Sequence, residues 1–128
     1  MIRPISSVDG FRPAFKGIIK DTPILHKALK HFSKQEKDEF IRLREEALKV
    51  DDGRVFGFYM GHKSLEFDKV KRAYQSELNY IGMYEEGKPR KELSEEVVSM
   101  RIADETLFDE GAYARAILKP LREIYNNN

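Results

Sequence analysis

In the stretch GFYMGHKSLEF, residues 57–67, an imidazole and a hydroxyl stand two positions apart at the end of an apolar run, as His62 and Ser64. Histidine titrates near neutral pH and acts as a general base once a carboxylate orients it, so Tyr59, Ser64, Glu66 and Asp68 are the groups that could complete a small site. None of these spacings is diagnostic of a nucleophile and its base. His62 as the base of a small enzyme is therefore the second alternative, and no catalytic residue is assigned. Gly61 to Ser64 reads first as a turn from a strand into a helix, with Ser64 as the cap.

Other chemistries find little footing. Cysteine is absent, which removes thiol catalysis, disulfides and cysteine-based metal sites. His26 and His31 are five apart, not the four that would place both imidazoles on one helix face, and no HExxH occurs. The acids Glu92, Glu95, Glu96, Asp104, Glu105, Asp109 and Glu110 lack the alternating ligands and central glycine of a calcium loop. No glycine-rich phosphate loop is present, so neither metal nor cofactor is expected.

The segment YMGHKSLEFDKVKRAY resembles, over about fifteen residues, the Gly-His-x-Ser tail motif of tyrosine recombinases. The resemblance implies a nucleophilic tyrosine where this chain has Lys71, and Tyr74 stands out of register. It also implies a His-x-x-Arg pattern upstream, whereas His26 and His31 are followed at that spacing by Leu29 and Lys34. Phosphoryl transfer without that cation clamp would lack its main transition-state stabilisation, and the activity is set aside.

Charge is distributed unevenly. Residues 1–34 hold seven Lys/Arg against Asp9 and Asp21, whereas residues 92–128 hold four against eight acids, although the whole chain is only +1. The basic end attracts either an anionic partner or the acidic end of its own fold. Lys63, Lys69, Lys71 and Arg72 lie beside Tyr59 and Tyr74, the mix of cations and stacking platforms that nucleic acid needs, with Glu66, Asp68 and Glu77 interrupting it. Nucleic-acid binding by residues 59–74 is the first alternative.

The elements that must position these groups can be read from periodicity and punctuation. Residues 1–20 form an extended basic arm, because Pro4, Gly10, Pro13 and Gly17 recur too closely for a helix. Phe11, Arg12, Phe15 and Lys16 make that arm a candidate partner-binding segment. Thr22 and Pro23 open a helix with Ile24, Leu25, Ala28, Leu29 and Phe32 on one stripe. Ser33 and Glu36 form a capping box for a second helix, whose buried side is expected to be Phe40, Ile41, Leu43, Ala47, Leu48 and Val50, with Gly53 as its stop. The charged face of that helix, Lys37, Asp38, Arg42, Glu45, Glu46 and Lys49, reads as plain solvated surface.

RVFGFYMG alternates in strand fashion and places Phe58 and Tyr59 as further partner-binding candidates. Phe67, Val70, Tyr74, Leu78 and Ile81 then recur at helical spacing, predicting a central helix that ends at Gly82. Residues 94–103 fit strand or helix, and strand is favoured because a lone strand needs a partner. A closing helix follows Asp109, kinked or broken at Pro120, and residues 126–128 fray.

The fold expected is α+β and mostly helical: a helical hairpin, one or two short strands, a central helix and a kinked C-terminal helix, with an all-α bundle as the alternative. Residues 21–125 form one globular domain, a size that supports a single core. With no run of about 18 apolar residues and no apolar leader, no membrane segment is expected. The location expected is cytoplasmic, with a secreted effector allowed by the lack of cysteine. The function expected is that of a small non-enzymatic interaction or regulatory protein, of adaptor, inhibitor or effector type, with a protein partner or a second copy of itself.

Overall fold

The computed structural model describes residues 16–66, 75–89, 91–102 and 105–125. Two short-range signals in the sequence give two helices. Thr22 Oγ1 accepts from the Leu25 N–H at 3.3 Å, and Pro23 opens α1 (Pro23–Leu29) where its missing N–H costs nothing. The Ser33 hydroxyl accepts from the Glu36 N–H while the Glu36 carboxylate accepts from the Ser33 N–H, a reciprocal capping box that starts α2 (Lys34–Lys49).

The rest of the chain departs from the mostly helical expectation. Among the described residues five strands, β1 (Ile18–Ile19), β2 (Val55–Glu66), β3 (Gln75–Glu85), β4 (Ser94–Ile102) and β5 (Glu105–Phe108), pair in chain order into one curled mixed sheet, and α3 (Gly111–Tyr125) follows it. β1 runs parallel to β2; every other pairing is antiparallel. Helix and strand thus take comparable shares, and neither the mostly helical nor the all-α reading holds.

The predicted central helix is the main error. GHKS lies inside β2 rather than in a turn, Ser64 caps no helix, and residues 75–85 form the longest partner of β2. Leu78 and Ile81 do sit three apart, but in a strand that spacing puts them on opposite faces. Gly82, expected as a helix stop, is a strand-interior residue opposite Tyr59. Residues 67–74, 103 and 104 lie outside the described residues, as do 1–15, 90 and the tail 126–128. Of the arm, residues 17–20 are docked: Gly17 N–H donates to Val50 O, and Lys20 N–H to Phe56 O, which holds β1 at the sheet edge.

One sheet face carries the core. Phe56, Phe58, Ile81, Met83 and Val98 meet Leu25, Ala28, Phe40, Leu43 and Ala47 from the first two helices and Ala112, Ile117, Leu118 and Leu121 from α3. Pro120 is buried within α3, which runs through it without ending. The Glu39 carboxylate accepts from Arg122 Nε and Nη2 at 2.6 and 2.7 Å, clamping α2 to α3. A register shift between Asn79 and Tyr80 leaves Val98 as an extra residue in β4, and Val98 and Ser99 are consequently both buried.

Arg54 closes one end of the core. Its guanidinium lies 4.8 Å from the Phe56 ring centre and donates to both Glu85 oxygens at 3.0 Å each. The hydrogen bonds from Arg54 hold the Glu85 carboxyl below the usual carboxylate range. A depressed folded value means the contribution is complete above the unfolded value and is lost as pH falls through the folded one. Glu85→Gln should lower stability at pH 7 by about 1 kcal/mol, half-exposed Arg54 being partly screened. In denaturant titrations the gap to the parent protein should close below about pH 4; a gap unchanged with pH would show that the charge is not what stabilises.

Candidate functional site

The GHKS histidine belongs to a cross-strand polar ladder. His62 pairs with Asn79 in β3, which pairs with Ser99 in β4. Its Nδ1 lies 3.2 Å from Asn79 Oδ1, and Asn79 Nδ2 donates to Ser99 Oγ at 2.9 Å. A general base would need its nitrogen on the hydroxyl proton and a carboxylate behind it. Here an amide separates imidazole from hydroxyl, and the ladder pairs polar side chains across three neighbouring strands. His26 instead meets Asp21 at 2.7 Å, and His31 stacks on Tyr113 with ring centres 4.0 Å apart. Among the described residues no cluster of three or more metal-binding side chains occurs.

The aromatic strand divides between two faces. Phe58 is 2% exposed and fills the core, so it offers no surface to a partner. Tyr59 lies on the opposite face, where Tyr59, Tyr80 and Tyr84 stand across from Gly82, Gly61 and Gly57. Burial foremost, and then the neighbouring Glu92 carboxylate, raises the Tyr59 phenol well above its ordinary pKa. Lys63 is held on this face at 2.6 Å from Glu95, with its ammonium 4.7 Å from the Tyr80 ring centre. Phosphate would have to displace that carboxylate. Lys16 is exposed; Phe11, Arg12, Phe15, Lys69, Lys71 and Arg72 lie outside the described residues.

The structure brings together a group that sequence reasoning had divided between core and plain surface. Between α1 and α2 runs a hollow of about 430 Å³ lined by Leu29, Phe40 and Ile41, with His26, Lys30, Lys37 and Arg44 around it. Ile41 and Leu48, expected in the core, are 53% and 51% exposed, and Val50 is exposed as well. The core takes only Phe40, Leu43 and Ala47 from α2. Arg44 is braced from below, donating to Ile19 O at 3.4 Å and lying 5.8 Å from the Phe40 ring centre. The warning signal was present: at about 100° per residue, Ile41 and Leu48 fall to one side of the Phe40, Leu43 and Ala47 stripe, in the company of Lys37 and Arg44.

Such an arrangement has the chemistry of recognition. An apolar floor gives affinity and a charged rim selects orientation and partner. No family model, curated protein or solved structure matches the chain, so its surfaces are read from its own residues.

Proposed function

We propose that this chain is a small non-enzymatic interaction module that holds a segment of a protein partner in the α1/α2 groove. What supports the reading is the half-exposed Ile41 beside Leu29 and Phe40, a patch of apolar surface open to solvent next to the buried core. Among the described residues no helix is long and apolar enough to cross a membrane, so this patch is not explained as part of a helical membrane span.

The test uses Ile41→Glu. Its side chain is exposed, so the substitution should change thermal stability by no more than about 0.5 kcal/mol. Tagged parent and variant proteins are used for affinity capture from native lysate, with nuclease and with high salt. A protein partner retained by the parent through both treatments should be lost by Ile41→Glu, the weakening being roughly thirty-fold in affinity for a central apolar contact. Equal retention by the variant would overturn the groove as the interface. Recovery of nucleic acid alone, released by salt, would overturn the protein partner.

A further inference from the structure

Resting on that reading, we infer that the groove's occupant is an acidic amphipathic helix of the partner protein. Three observations converge on it. The first is charge. Lys30, Lys37 and Arg44 place three basic side chains at the groove, and none of the residues lining it is acidic. Much of the described cationic surface is neutralised in place, Lys20 by Glu86, Lys34 by Asp38, Lys49 by Glu46, Lys63 by Glu95 and Arg122 by Glu39. Lys30 and Lys37 have no ion pair with any described residue. Among the described residues nothing else claims their positive charge.

The second is spacing. Ile41 lines the groove, and exposed Leu48, seven residues on along α2 and beyond that lining, continues its row two helical turns or about 10 Å along the axis. Arg44 lies between them and Lys37 one turn before Ile41, so cation and apolar residue alternate along one side of the helix. A ligand matching that row must repeat apolar groups every three or four residues and flank them with carboxylates. An α-helix presents side chains at that interval.

The third is the backbone. The edge strand β1 reaches the groove at Ile19 O, which Arg44 already engages, and α1 and α2 bond internally, so an extended strand would gain side-chain contacts but little main-chain pairing. A helix needs none and packs its ridges between those of α1 and α2.

The test is a panel of fluorescent helical peptides of about twenty residues. Leucines are fixed at i, i+3, i+4 and i+7, and the flanking positions are all Glu, all Gln or all Lys; a fourth peptide carries proline in the middle of the Glu sequence. Fluorescence anisotropy against the full chain should rank them Glu, then Gln, then Lys, with the proline peptide weakened. The double substitution Lys30→Glu with Lys37→Glu should weaken the Glu peptide by about ten-fold and strengthen the Lys peptide. Failure of every peptide to bind would overturn the inference. So would a ranking without charge preference, indifference to the proline, or binding to phosphatidylserine vesicles in preference to the Glu peptide. Each of those outcomes leaves the Ile41→Glu capture result standing, so the occupant's chemistry fails separately from the groove's role.

Discussion

Replacing Phe56 by alanine is expected to lower the unfolding free energy by about 3–5 kcal/mol, a large part of what a domain of this size possesses. Phe56 is fully buried and joins three parts of the fold. Its backbone carbonyl accepts from Lys20 and so holds β1. Its ring meets Tyr125 edge-on, with centres 6.1 Å apart, and carries the Arg54 guanidinium 4.8 Å from its centre. Alanine would leave a void bordered by β1, α3 and the Arg54–Glu85 pair, none of which can close it without breaking a contact of its own. Phe56→Leu retains most of the volume and should cost less than half as much. The check is chemical denaturation of all three proteins with a common m-value. A loss below about 1 kcal/mol for alanine would mean that this end of the core is loosely filled.

The parts of the fold legible in the sequence are those whose signals are local. Thr22-Pro23 and the Ser33/Glu36 box determine helix starts through bonds spanning three residues, and both helices begin where these residues place them. The alternation of RVFGFYMG likewise gives a strand because side chains change face at every residue, although β2 continues to Glu66. Residues 75–85 were misread because their faces acquire meaning only against β2. Ile81 and Met83 point to the helices, while Tyr80 and Tyr84 cover glycines on the neighbouring strand. Residues 94–102 were ambiguous for a related reason. The extra residue at Val98 interrupts period two, so Val98 enters the core whereas Met100 and Ile102 lie in register with Leu78 and Ser76 of β3.

The same difference separates what could be foreseen of the candidate site. Phe58 and Tyr59 were both visible as aromatic residues, but only pairing shows that one is core and the other lies on the far face. Lys63 reads as a free cation until Glu95, thirty-two residues away, is brought to it across the sheet. The groove carried a local trace in Ile41, with exposed Leu48 on the same side of α2. Counting every apolar residue of α2 as buried concealed it, since one stripe cannot face the core over so wide an arc. Surplus apolar residues on a helix, offset from its core stripe and mixed with lysine and arginine, were the sign of a second face.

Gly82→Ala is expected to destabilise the protein by about 2 kcal/mol or more, through overpacking rather than lost contacts. A Cβ at Gly82 would stand 2.5 Å from the Tyr59 ring, at both Cζ and the hydroxyl oxygen. The ring cannot swing aside freely, because Tyr80 and Tyr84 flank it with centres 6.1 Å away on each side. If glycine is required only to admit that ring, removing the ring should relieve the clash. Tyr59→Ala alone loses buried ring surface, but in its presence Gly82→Ala should become nearly neutral or stabilising, since alanine is the better strand residue. A double-mutant cycle in denaturant isolates this coupling, expected at about 2 kcal/mol in the direction that makes the pair of substitutions cheaper than their sum. Strict additivity would mean that the requirement for glycine lies in the backbone of β3, and the tyrosine rings would then be passengers on the sheet rather than part of what sets its register.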